Sequence, residues 1–126
     1  MPKYTTSLLA LIIGVSVVIL STIPLALPVG EVSGLGVDKL SHAFAYFCFA
    51  ISLFLALHLD WKIKASKKWA SIGAFSLGFL LEIIQGVLLD YRSFESYDLL
   101  ANTMGIVLFI FLSKRVKKLL SNAVFL

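Results

Sequence analysis

The sequence predicts an all-α membrane protein with four transmembrane helices in a single domain, residues 1–126. Hydrophobic residues make up 60% of the chain and charged residues only 14%, a composition far from that of soluble domains. The apolar residues form four runs, each about long enough to cross a bilayer core. Basic residues cluster at the ends of these runs, as topology determinants do. Because these clusters are separate, they do not indicate a nucleic-acid-binding surface.

The first predicted span covers residues 7–27 and is mostly apolar. A secretory signal peptide is the alternative, but this run is longer than the usual apolar region of about 7–15 residues. We therefore expect an uncleaved span. Pro24 and Pro28 mark its exit, and the glycines that follow predict a flexible loop over residues 30–37.

The other three spans are predicted at residues 40–59, 69–89 and 97–113. Asp38 is expected at the start of the helix that holds the second span, where an acid suits the helix macrodipole. Basic residues follow the fourth span at 114–118, and the last six residues are too short to cross a membrane.

A repeat of small residues marks the third span. It predicts a close helix contact inside the protein, or an interface of a homo-oligomer. Glu82 occupies one position of the repeat, although it is not a small residue. It should face protein, since a carboxylate that faces lipid is costly. The repeat consists of Ala70, Ala74, Gly78, Glu82 and Gly86.

The distribution of charge predicts the orientation. Nine of the eleven basic residues fall on the side that holds both termini, and five of the seven acids fall on the other side. The positive-inside rule then places both termini in the cytoplasm. The polar side chains of the second, third and fourth spans consequently start or end near the outer surface.

These polar side chains are the candidate functional site. We expect three spans to deliver them at similar depth, which would create a polar pocket in an apolar bundle. The predicted ligand-binding residues are Lys39, His42, Tyr46, Glu82, Gln85, Arg92, Asp98 and Asn102.

The same residues resemble the VanZ-like family of small bacterial membrane proteins. The resemblance covers Val37 to Leu112 and consists of D-K-x-x-H-x-x-x-Y from Asp38, E-x-x-Q from Glu82, Arg92, and D-x-x-x-N-x-x-G from Asp98. It implies a multi-pass protein of the bacterial cytoplasmic membrane. It also implies a link to the cell envelope and to susceptibility to the glycopeptide teicoplanin.

Two functions follow as expectations. In the first, the pocket binds an anionic lipid headgroup or a cell-wall precursor, with Lys39 and Arg92 on its phosphate or carboxylate. In the second, the protein is a transferase or hydrolase acting on a lipid-linked phosphate. Its acid/base pair would be His42 and Glu82, with Asp98 as a further catalytic candidate. A transporter or an assembly partner is a third, weaker hypothesis.

We predict neither a cofactor nor a metal. His42, Glu82 and Asp98 could supply three ligands, but no two of them have the spacing of a ligand pair on one helix. The expected partners are membrane lipids, the lipid-linked or cell-wall precursor, and further copies of the chain. Cys48 is the single cysteine and cannot form an internal disulfide.

Overall fold

The computed structural model describes residues 3–22, 34–88 and 96–124, with side chains at 3–21, 40–88 and 98–122. Within these residues the regular structure is entirely helical, as predicted. The four α-helices are α1 (Thr5–Thr22), α2 (Gly34–Leu55), α3 (Ser66–Val87) and α4 (Ser96–Val124). A short π-helix, Ala56–Asp60, continues α2.

Three stretches of the described residues are long and apolar enough to cross a membrane. They are Leu40–Asp60, Ser66–Val87 and Asp98–Asn122. The apolar part of α1, Thr5–Ser21, is shorter within the described residues. By length and composition these helices indicate a multi-pass membrane protein. The predicted exit of the first span at Pro24 and Pro28 lies outside the described residues.

Two helices extend beyond the spans predicted on them. Helix α2 begins at Gly34, so the loop predicted over residues 34–37 is wrong and Asp38 is the fifth helical residue, past the first turn. Helix α4 continues to Val124, beyond the predicted end of the fourth span at residue 113. The basic residues after 113 are good helix formers, and Val116 and Leu120 pack against the core. Apolar periodicity locates a span, but it does not show how far a helix extends beyond it.

Helix α2 occupies the centre of the bundle and packs against each of the other three helices. Helix α3 packs against α1 and α4 as well, whereas α1 and α4 do not meet within the described residues. Successive helices run in opposite directions, so the starts of α2 and α4 lie at the same end as the C-terminal turns of α1 and α3. We call this the polar end and the opposite one the basic end.

The core is built from aromatic residues and alanines. Phe54 and Phe109 are fully buried, with ring centroids 5.7 Å apart. Ala70 and Ala74 of α3 are also fully buried, which confirms the predicted close contact along the small-residue repeat. Because the repeat is buried inside the protein as far as Glu82, this part of it cannot serve as an interface between copies. Only Gly86, at its end, is exposed.

At the basic end, a contact absent from the sequence predictions fastens the start of α1 to the end of α2. The backbone N–H and the hydroxyl of Ser7 both donate to Oδ2 of Asp60, each at 2.7 Å. Trp61 Nε1 donates to the Ser7 hydroxyl at 3.1 Å, and the Trp61 ring lies 5.5 Å from that of Tyr4. Asp60 thus satisfies one of the free N–H groups of the first turn of α1.

Candidate functional site

The candidate site is a cluster of polar side chains between α2, α3 and α4 at the polar end. His42 and Tyr46 are one turn apart on α2, as are Asp98 and Asn102 on α4, so each pair presents two groups to the same neighbours. Glu82 is on α3. Apart from His42, which is partly exposed, these side chains are buried. We call this set the polar cluster: His42, Tyr46, Glu82, Asp98 and Asn102.

His42 is the member with the most clearly defined contacts. Its Nδ1 lies 3.2 Å from Oδ1 of Asn102, and its Nε2 lies 3.8 Å from Oδ1 of Asp98. An amide oxygen is an acceptor, so in this arrangement Nδ1–H of His42 donates to Asn102. Nε2 then faces the carboxylate of Asp98. Asn102 therefore orients the ring.

Gly78 allows α3 to pack closely against both α2 and α4. A Cβ atom at Gly78 would lie 3.1 Å from Cε1 of Tyr46 and 3.2 Å from Nδ2 of Asn102, tighter than ordinary van der Waals contact. The missing side chain lets α3 approach α2 and α4 together. One turn further along the same face is Glu82, which is also buried.

Gly105 provides a second close approach, between α2 and α4. A Cβ atom there would overlap the carbonyl oxygen of Ala43 and lie 2.9 Å from its carbonyl carbon. Ala43 is the neighbour of His42, so this backbone contact sets the separation of the helices that carry His42, Asp98 and Asn102. Gly105 is the last position of the D-x-x-x-N-x-x-G motif that starts at Asp98, and its role in the structure is packing.

The structure thus brings five of the eight predicted site residues into one region. Of the other three, Gln85 is buried but donates from Nε2 to the backbone oxygen of Ser21 at 2.6 Å, which links α3 to α1. The side chain of Lys39 and the whole of Arg92 lie outside the described residues. His42 lies 3.8 Å from Asp98, and its predicted acid/base pairing with Glu82 stays a prediction.

The described residues contain no group of three His, Cys, Asp or Glu side chains that could hold a metal ion. The chemistry visible at the cluster is that of hydrogen bonding and proton transfer. It offers a histidine with a defined orientation, two buried carboxylates, a phenol and an amide.

Comparison with known proteins adds no relative. No family model, no curated protein and no solved structure matches this chain. The class of protein defined by the fold is a multi-pass helical membrane protein with a polar cluster buried at one end of its bundle.

Proposed function

We propose that this chain is a VanZ-like protein of the bacterial cytoplasmic membrane whose polar cluster binds the anionic head of an envelope lipid or a cell-wall precursor. In this proposal both termini are cytoplasmic and the polar end faces outward. The protein modulates susceptibility to glycopeptides such as teicoplanin through this ligand.

The observation that supports the proposal most directly is the burial of two carboxylates, Glu82 and Asp98, beside His42 between apolar helices. Placing an acid in a membrane span costs a few kcal/mol of insertion free energy even on permissive scales. For Asp at the helix centre this cost is roughly 2.5–3.5 kcal/mol. Interhelical hydrogen bonds that only hold a bundle together are commonly made by amides and hydroxyls. Two acids buried at the same end of the bundle exceed what packing requires.

The partial exposure of His42 supports a role in binding. Its side chain is 16% exposed, whereas that of Asp98 is 7% exposed. A ligand that reached the cluster from the surface would meet His42 first, with Asp98 and Asn102 behind it. An anionic head would also be attracted by Lys39 and Arg92, which the predicted topology places on the same side of the membrane.

The positions of the described basic side chains support the proposed orientation. The N-terminal lysine, the lysines between α2 and α3, and the basic part of α4 all belong to the basic end. The positive-inside rule assigns this end to the cytoplasm. Cysteine-accessibility labelling of intact cells tests this: Cys introduced at Lys64 should react only after permeabilisation.

A teicoplanin-susceptibility assay in a bacterium that expresses the chain tests the function. We expect Glu82→Gln and Arg92→Ala to abolish the effect on susceptibility while the amount of protein in the membrane stays unchanged. Gln85→Leu is the matched control, because Gln85 is as buried as Glu82 and lies on the same helix but links α3 to α1. The proposal is wrong if both Glu82→Gln and Arg92→Ala retain the full effect.

The contacts of His42 favour a second function, that of a transferase or hydrolase acting on a lipid-linked phosphate. With Nδ1–H held by Asn102, Nε2 can accept a proton from a hydroxyl or a water as its oxygen bonds to phosphorus. The P–O bond to the leaving group breaks, and His42 then gives the proton to the leaving oxygen. Purified protein would then turn over a labelled lipid-linked phosphate, and His42→Ala would abolish the turnover. If wild-type protein shows no turnover with such lipids, the binding function stands alone.

A further inference from the structure

Two hydrogen-bond donors of the polar cluster have no acceptor among the described residues. They are the hydroxyl of Tyr46 on α2 and the side-chain nitrogen Nδ2 of Asn102 on α4. Each of the two residues is only 2% exposed. We propose that these two donors together bind one phosphate oxygen of the ligand. This assignment rests on the binding function proposed above and specifies which atoms recognise the anionic head.

The surroundings of Gly78 show that both donors lie beside the same point of α3. A Cβ atom built at Gly78 would be 3.4 Å from Cζ of Tyr46, the ring carbon that carries the hydroxyl. The same Cβ atom would be 3.2 Å from Nδ2 of Asn102. Helices α2 and α4 therefore bring one donor each to a common place on a third helix. A single acceptor oxygen is the smallest group that could satisfy both donors.

The hydrogen bond between His42 and Asn102 fixes the direction of the Asn102 amide. Its Oδ1 accepts from Nδ1 of His42 at 3.2 Å, so Nδ2 is on the other branch of the amide, the one against Gly78. An amide nitrogen donates and does not accept, so this branch attracts an acceptor. His42 is the partly exposed member of the cluster. A headgroup that reached His42 from the surface would therefore meet Asn102 next.

A comparison with Gln85 separates a polar group that serves the fold from one that serves a ligand. Gln85 is as buried as Asn102, but its Nε2 donates to the backbone oxygen of Ser21 at 2.6 Å and links α3 to α1. The Tyr46 hydroxyl makes no such link between the described residues. A buried donor without an acceptor destabilises a protein, and phenylalanine would fill the same space without that loss. The hydroxyl is therefore better explained by a ligand than by packing.

Directed donors are also what an anionic head needs in this cluster. Glu82 and Asp98 are buried at the same end of the bundle, and each would repel a phosphate when it is ionised. Hydrogen bonds to a charged oxygen are stronger than those between neutral groups, and stronger inside a protein than in water. The phenol of Tyr46 and the amide of Asn102 supply such bonds without adding charge.

Thermal unfolding of the full-length protein in dodecyl maltoside, with dodecyl phosphate as the probe, tests the assignment. Tyr46→Phe removes only the hydroxyl, so without the probe its melting temperature should equal or exceed that of the wild type. The dodecyl phosphate concentration that gives half of the maximal stabilisation should rise about tenfold, as expected for one lost hydrogen bond to a charged oxygen. Tyr4→Phe is the matched control, because it removes the same hydroxyl from an exposed ring at the basic end and should change neither value.

The outcomes separate this assignment from the function on which it rests. If dodecyl phosphate stabilises the wild type and Tyr46→Phe equally, the donor pair is wrong, whereas binding of an anionic head is retained. A lower melting temperature of Tyr46→Phe without the probe also overturns the donor pair, because the hydroxyl would then have a structural partner such as a buried water. No stabilisation of the wild type overturns both. Equal stabilisation by inorganic phosphate at the same concentration supports the donor pair but makes the ligand a soluble phosphate.

Discussion

The two ends of the bundle differ in where their charged and polar side chains lie: buried at the polar end, and mostly exposed at the basic end. At the polar end, Glu82, Asp98 and Asn102 are buried between helices, and His42 contacts two of them. At the basic end, the lysines are mostly exposed, and the contacts that hold the helices together come from Ser7, Asp60 and Trp61 at the surface.

This difference predicts at which end of the bundle substitutions cost less stability. Buried polar groups need partners with defined geometry, because an unpaired one costs about 1–3 kcal/mol. The polar end therefore depends on how closely the helix backbones approach each other. Lysines at the membrane surface keep water as a partner and can move, so the basic end depends on charge and on local backbone conformation. Substitutions at the polar end should accordingly cost more stability.

The largest effect is expected at the contact between α2 and α4. In Gly105→Ala the added methyl group overlaps the backbone of Ala43, so the helices must separate, which we expect to cost about 3 kcal/mol or more. Thermal unfolding in detergent measures it. Gly73→Ala is the matched control, since its Cβ would lie 3.5 Å from Cδ1 of Leu53, an ordinary contact. Equal melting temperatures for the two variants would show that the close approach at Gly105 does not hold the polar end together.

A smaller loss is expected where the polar end is joined to α1. Gln85→Leu removes the 2.6 Å hydrogen bond to the carbonyl of Ser21 and adds no charge. We expect it to destabilise the protein by about 0.6–1.7 kcal/mol, the range for interhelical hydrogen bonds in membranes. The same unfolding measurement applies. A cost above that of Gly105→Ala would reverse the proposed order and make the α1–α3 link the main support of this end.

The smallest effect is expected at the basic end, and it has the opposite sign. Lys62→Gly relieves a left-handed backbone strain of roughly 1–2 kcal/mol but adds freedom to the unfolded chain that costs about 0.4–1 kcal/mol. The net result should be a gain of about 0.5 kcal/mol. A fall in melting temperature would mean that the Lys62 side chain makes stabilising contacts, and the basic end would then depend on contacts as the polar end does.

Much of the architecture was predictable from the sequence because membrane spans are long apolar runs. The small-residue repeat of α3 correctly indicated a buried face that includes Gly78 and Glu82. The grouping of His42, Asp98 and Asn102 followed from their positions at the starts of two helices that run in the same direction. The contact between Ser7 and Asp60 left no comparable signal, since a serine and an aspartate 53 residues apart show no periodicity.

The sequence by itself determined that the chain is helical and apolar, which polar residues interrupt its spans, and at which end basic residues collect. These features depend on composition and on the 3.6-residue period, which are local. Only the tertiary structure decided that His42 contacts Asn102 and Asp98 and that Gln85 donates a hydrogen bond to the backbone of α1. Those pairings depend on how closely helices can approach, and the approach is set by single residues such as Gly78 and Gly105 meeting particular neighbours.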